Sequence, residues 1–189
     1  MDYLEIREKV RQNVSETRFL HSQNVSDVAR ELAAHYHADL GKAEIAGILH
    51  DYAKNINKEQ SIEIFKKFGL VIDDITLNNP KLLHGPVGAC LAQYELGIVD
   101  TEILDAIWFH TTAKSNMNLL TKIVYIADFI EIGKQQEGIE GIRALAYKDI
   151  DSAIIAALNI VIFRTINKGL LVHPDSIHAR NYLIMVCDK

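Results

Sequence analysis

The chain has 189 residues, 49% of them hydrophobic and 24% charged, with a formal net charge of -5. That length suffices for one helical domain with a real core, and the acidic balance argues against a duplex-binding surface, which rests on basic patches. A small polyphosphate ligand is not excluded, because a metal ion and a few local Lys or Arg residues reverse the field inside one cleft.

The hydrophobic pattern is helical nearly throughout. Residues 16–36 put His21, Val25, Val28 and Leu32 on one face, the stripe of an amphipathic helix. Residues 40–53 are rich in Ala, Ile and Leu and are expected to form one helix that delivers His50 and Asp51 near its C-terminal end. Asn57 can cap a helix running to Phe68, with Gly69 as its stop. Asn79-Pro80 breaks the chain. His84-Gly85-Pro86 opens another helix, with Pro86 in the first turn, where a missing N–H costs nothing, and Gly97 ends it. Asp100 caps a helix that carries Ile103, Leu104, Ile107 and Trp108 and ends near His110. Residues 118–131 turn Ile123, Ile126, Ala127 and Ile130 inward. Residues 137–141 read as the most loop-like segment, 149–168 as a long apolar helix closed by Gly169, and 174–186 as the last helix. Short extended pieces are conceivable only at 69–72 and 170–172. No repeat, low-complexity tract or linker divides the chain, so the expectation is a single all-α domain over residues 1–189.

Cys90 and Cys187 are the only cysteines and form no CxxC pattern, so neither a disulfide framework nor a zinc ribbon is expected. Met1-Asp2-Tyr3-Leu4-Glu5 has acids where a signal peptide would have a basic segment. No apolar stretch approaches the ~20 residues needed to span a bilayer. A reducing cytoplasm fits these features best.

The chemistry lies in histidines and carboxylates carried on apolar helices. His21 sits on its helix's apolar stripe, where a lone histidine is most often a hydrogen-bonded core residue. That reading gives way because His50-Asp51, His84, His110 and Asp128 recur in similar settings. Adjacent side chains diverge on a regular helix, yet at a helix end His50 and Asp51 can converge. Asp128 lies within Ile123-Val124-Tyr125-Ile126-Ala127-Asp128-Phe129-Ile130, where a carboxylate is costly unless it is paired with a cation or bound to a metal. His84 and His110 each mark a helix end; together they read as a second-metal pair or as phosphate-contacting donors. Imidazole and carboxylate ligands suit iron, manganese, zinc or magnesium. Lys54, just after the His-Asp pair, is the best candidate for a phosphate contact. These residues point to a helical metal-dependent hydrolase.

The order His, His-Asp, His, His, Asp resembles the HD-domain metal-dependent phosphohydrolases. Four strings narrow the resemblance: Leu49-His50-Asp51-Tyr52-Ala53-Lys54, His84-Gly85-Pro86-Val87-Gly88-Ala89, His110-Thr111-Thr112, and Ile126-Ala127-Asp128-Phe129-Ile130-Glu131. With the tail His173-Pro174 and Ala179-Arg180-Asn181, they are similar to the bacterial symmetrical diadenosine tetraphosphate hydrolases, over nearly the whole chain. The resemblance implies a helical bundle with a metal site between core helices. His21, His50, Asp51 and Asp128 would hold iron, as one or two ions, with Asp51, His84 and His110 in the catalytic machinery. His84 and His110 would complete a second metal site or contact phosphates. Lys54, Thr111, Lys134, His173, Arg180 and Asn181 would meet the substrate, a dinucleoside tetraphosphate cut to two nucleoside diphosphates.

One departure stands out. The family commonly has Glu-Pro-x-Arg after the last metal aspartate; here the string is Glu131-Ile132-Gly133-Lys134. Lysine keeps the charge and loses the bidentate fork that grips a phosphate. Two other functions remain open: an HD-type hydrolase of another nucleotide, or a nucleotide-binding sensor without turnover. The partner expected is a small nucleotide, with no nucleic acid and no membrane; a homodimer is admitted without a residue-level signal. His35 and His37 are expected to be exposed and are not counted as ligands. Lys66-Lys67 reads as a solvated face, Arg143 as a salt-bridging surface residue, and Trp108 and Phe109 as core. Glu131, one helical turn from Asp128, is either a partner that orients a ligand or a surface residue.

Overall fold

The computed structural model describes residues 1–135 and 138–187, and every regular element among them is helical. Most of the helices start where a short polar side chain accepts a backbone N–H of the first turn. Asp2 caps α1 (Tyr3–Asn13) in a reciprocal capping box with Glu5. Ser15 caps α2 (Glu16–His35), Asp39 caps α3 (Leu40–Leu49), and Asn57 with Gln60 boxes the start of α4 (Lys58–Lys67). Asp73 caps the short α5 (Asp74–Asn78), and a single 3-10 turn, Pro80–Leu82, follows. α6 (His84–Leu96) ends on Gly97, whose φ of 68° is left-handed. Asp100 caps α7 (Thr101–Phe109), Asn118 caps α8 (Leu119–Ile130), α9 covers Ile139–Lys148, and Asp149 caps α10 (Ile150–Asn167). Pro174 opens α11 (Pro174–Cys187), where its absent N–H is no loss.

Helices α2, α3, α7 and α8 pack against one another at the centre. Their inward stripes, among them Val25, Leu32, Ile48, Ile107, Ile123 and Ile126, are fully buried. Around this group α1 lies on α3, α4 on α6, and α6 on α7, while α10 covers α8 and α9 and itself carries α11.

Several sequence expectations need correction. The helix expected over 40–53 stops at Leu49, and residues 50–55 form turns, so His50 and Asp51 leave the helix axis. In the expected loop at 137–141, Glu137 lies outside the described residues, but α9 already starts at Ile139 and takes in Gly141. The segments 69–72 and 170–172 pair with nothing as strands. Finally, α10 is 18 residues long with a mean hydropathy of 1.5, apolar and long enough by those two measures to cross a bilayer. Its inner stripe, Ile150, Ala153, Ile154, Ala157 and Leu158, is spent in the core.

Candidate metal centre

Two close approaches of backbone to backbone set the site. A Cβ at Gly47 would stand 2.7 Å from the Ser26 Cα, so α3 lies directly on α2. A Cβ at Gly85 would stand 2.6 Å from the Trp108 carbonyl oxygen, so the start of α6 lies directly on the end of α7. The first contact brings His50 Nε2 to 3.2 Å from His21 Nε2. The second brings His84 Nε2 to 2.9 Å from His110 Nε2.

Three of the four histidines are oriented by one local device. His50, His84 and His110 each donate from Nδ1 to the carbonyl three residues upstream, of Gly47, Lys81 and Ile107, at 2.7 Å in every case. For His50 and His110 these are orphan carbonyls of a helix end. A carbonyl only accepts, so Nδ1 carries the proton and the Nε2 lone pair faces inward. His21 uses a carboxylate instead: its Nδ1 lies 3.2 Å from Glu131 Oε1. Glu131 is itself buried, and it accepts from Asn24 Nδ2 at 3.0 Å and from the Gly133 N–H at 2.6 Å. Glu131 is therefore not a surface residue; it fixes the ring of His21, as outer partners of metal-binding histidines do.

Asp51, 2% exposed, stands at the middle with its two oxygens facing opposite ways. Oδ2 lies 3.5 Å from His50 Nε2 and 3.8 Å from His21 Nε2. Oδ1 lies 3.0 Å from His84 Nε2 and 3.6 Å from His110 Nε2. Asp128 closes the first half, with Oδ1 3.2 Å from His21 Nε2 and 3.9 Å from His50 Nε2. Paired Nε2 lone pairs this close repel unless a cation or a proton lies between them. A set of imidazoles and carboxylates arranged in this way fits a divalent transition-metal ion. Donor atoms of His21, His50 and Asp51, and of Asp51, His84 and His110, all lie within 4.8 Å of one another.

The field in the centre favours ionised carboxylates. Burial alone would raise the Asp51 carboxyl, but the imidazoles of His50, His110 and His84 that surround it outweigh burial and hold it far below the usual range. Asp128 is likewise lowered against its burial, by the His21 hydrogen bond, His50 and Lys134. Burial pushes the His84 imidazole down to about 4, which keeps its Nε2 free as a donor to a cation.

Three cations ring the mouth, each a third or more exposed. Arg18 Nη1 lies 2.7 Å from Asp51 Oδ2, Lys54 Nζ 3.1 Å from Asp51 Oδ1, and Lys134 Nζ 3.5 Å from Asp128 Oδ1. Sequence reasoning missed Arg18. The available signal was its place one helical turn before His21, on the same face of α2. Thr111 follows His110; its Oγ1 is buried with no hydrogen-bond partner among the described residues, and it lines a small cleft with His173, Trp108 and Phe109. His173 is paired with Asp73 and Asp175. Arg180 is bonded to Asn159 and Asn181, so neither Arg180 nor Asn181 joins the cluster's hydrogen bonds. Arg143, expected to make a surface salt bridge, pairs with Glu140, and it also donates to the carbonyls of Ile130, Glu131 and Lys134 and so braces the turn that carries Glu131. His35 and His37 are exposed.

The HD domain model matches residues 18–133, more than half of the chain. The chain is 39% identical over 175 residues to the symmetrical bis(5'-nucleosyl)-tetraphosphatase of Bacillus subtilis (strain 168), covering 93% of this chain and 94% of that one. It is 34% identical over 174 residues to the protein of the same name from Staphylococcus aureus (strain NCTC 8325 / PS 47), covering 91% and 89%. The crystal structure of a protein from Clostridium acetobutylicum described as a predicted HD superfamily hydrolase involved in NAD metabolism superposes with a TM-score of 0.95 at 41% identity over 98% of both chains.

Proposed function

This chain belongs to the HD-domain family, and on that premise we propose that it is a metal-dependent phosphohydrolase that cuts dinucleoside tetraphosphates symmetrically, diadenosine tetraphosphate yielding two ADP. The observation that carries the reading is Asp51, a buried carboxylate whose two oxygens each face two imidazole Nε2 atoms, with three cations at the rim. Relatives similar over nearly their full length bear the name of that activity.

His21, His50, Asp51 and Asp128 would hold the ion. Iron is our choice, with manganese or zinc next; so many imidazoles disfavour magnesium, which prefers oxygen ligands and keeps its water. Once bound, such an ion supplies Lewis acidity, polarising a phosphoryl oxygen and bringing the pKa of water toward neutrality. The protein's own residues do the rest. Arg18, Lys54 and Lys134 neutralise the phosphates that enter the mouth, which matters in a chain of net charge -5. The fixed cations also take up charge developing on the departing nucleoside diphosphate, so no strong acid is required. Asp51 orients the attacking water, and Glu131 holds His21 still. Thr111 Oγ1 is a further group available to the substrate.

The test is direct. The purified, metal-loaded protein is given diadenosine tetraphosphate and the products are separated. Two ADP per substrate is expected. ATP plus AMP would mean that a different bond is cut, and saturable binding without turnover would make the domain a nucleotide sensor.

A further inference from the structure

We propose that a cleft between α2 and α9 seats the second nucleoside of the substrate, with Asp27 and Glu31 accepting N–H donors from the edge of its base. The inference rests on the hydrolase reading above. A dinucleoside tetraphosphate cut at its middle carries a nucleoside on each side of the reacting phosphates, so it needs a seat on each side of the centre. The small cleft of Thr111 and His173 begins next to His110. The cleft between α2 and α9, about 410 Å³ in volume, begins at Asn24, one helical turn beyond His21.

Two lining residues tie this cleft to the centre. Asn24 donates from Nδ2 to Glu131 Oε2 at 3.0 Å, and Glu131 Oε1 holds His21. Arg143 donates from Nη2 to the Lys134 carbonyl at 2.9 Å, while Lys134 Nζ lies 3.5 Å from Asp128 Oδ1. The turn that carries Lys134 is therefore a lip shared by the centre and the cleft. Along α2, Asn24, Val28 and Glu31 share the face of His21, and Asp27 stands at its edge. At the rise of a helix, Asn24 lies about 5 Å and Glu31 about 15 Å along the axis from His21.

The lining suits a base. Val28, the exposed Ile132 and the Tyr147 ring offer apolar surfaces of the kind on which a base stacks. Tyr147 is held at both ends: its ring meets that of His35 edge-on, 5.4 Å between centroids, and its Oη donates to Glu31 Oε2 at 3.1 Å. The polar groups left for a ligand are acceptors. Asn24 Nδ2 is engaged by Glu131, and Arg143 is spent on three backbone carbonyls and on Glu140. Asp27 and Glu31 are exposed, and an ionised carboxylate only accepts. They match the exocyclic amine of a purine. They also repel phosphate, which leaves the polyphosphate at the cations of the rim and turns the base into the cleft.

The consequence is a substrate that straddles the centre, one nucleoside beyond His110 and the other beyond His21. Selection of two nucleosides over one then resides in Asp27, Val28 and Glu31, away from the reacting phosphates.

The experiment compares a substrate that has two nucleosides with one that has a single nucleoside. Metal-loaded wild-type protein, V28W and the double variant D27A/E31A are given diadenosine tetraphosphate and, separately, adenosine tetraphosphate, whose central linkage yields ADP and pyrophosphate. V28W puts an indole into the cleft; D27A/E31A removes the acceptors. Each variant should raise KM for diadenosine tetraphosphate by about 10-fold, the loss expected of a charge-assisted hydrogen bond or of an equivalent stacking contact, with kcat held. KM and kcat for adenosine tetraphosphate should stay at the wild-type values, because its nucleoside takes the other seat. Asp27 and Glu31 are exposed on a helix, where alanine is well tolerated, so D27A/E31A keeps the test intact if V28W folds poorly; circular dichroism checks both. Equal changes for the two substrates, or no change for either, would overturn the proposal while leaving the hydrolase reading in place. No turnover of either substrate by the wild type would sink that reading and this proposal with it.

Discussion

Gly85 lies so close to Trp108 that a β-carbon there would stand 2.6 Å from the Trp108 carbonyl oxygen. The carbonyl belongs to the last turn of α7 and cannot give way without moving the helix end that carries His110. Gly85→Ala should therefore separate His84 from His110, cost about 1–3 kcal/mol as overpacking does, and abolish most activity. Gly141→Ala is the control: nothing among the described residues lies within 4 Å of its would-be Cβ in α9, and alanine in a helix gains about 0.5–1 kcal/mol over glycine. Thermal melts of the two variants should shift in opposite directions.

Glu131→Gln removes the carboxylate that fixes His21 while keeping the volume. The buried amide can still bond Asn24 or the Gly133 N–H, though not all of Glu131's partners with the right polarity. Loss of such a partner typically costs about 10–100-fold in metal affinity. Competition with a chelator should show that loss, with activity recovered at high metal. An unchanged affinity would reduce Glu131 to a structural brace.

Much of this site was legible because its signals are local. His50, His84 and His110 stand at helix boundaries, beside Asp51, Gly85-Pro86 and Thr111-Thr112 respectively, and Asp128 is conspicuous within an apolar run. What was not legible is of two kinds. Helices α1 and α5 begin at caps that the reading passed over, Asp2 with Glu5 and Asp73; α9 follows Gly138, which has no side chain to act as a cap. The other kind is contact across the fold. Arg18 is an ordinary surface arginine until α2 meets the turn after α3, 33 positions away in sequence. Glu131 could not be assigned to core or surface until His21, 110 positions away, was placed beside it.

Arg18 and Lys134 should act on substrate binding more than on metal. Arg18 donates to Asp51 Oδ2 and Lys134 faces Asp128, both from the exposed rim. Arg18→Ala and Lys134→Ala should raise KM for diadenosine tetraphosphate by about 10-fold each, the equivalent of one charge-assisted hydrogen bond at 1.5–3 kcal/mol. Lys134→Arg restores the bidentate fork and should hold KM at or below the wild-type value. A KM unmoved by any of these changes would take the rim cations out of the substrate path.

Removing the metal should loosen the centre before it loosens the helices. Without an ion, the facing Nε2 pairs, 3.2 Å apart for His21 and His50 and 2.9 Å for His84 and His110, must share protons instead. An ion that binds only the folded chain adds about 2.7 kcal/mol at 100 times its dissociation constant. For a chain of this size that is a rise of about 5–10 °C in Tm. Chelation should reverse the rise while the helical circular dichroism persists at room temperature. His50→Ala and Asp128→Ala should abolish both the rise and the activity, since each removes a donor from the same half of the centre. If either variant kept full activity at limiting metal, or melted with the metal-dependent rise intact, the ion would have to be held elsewhere.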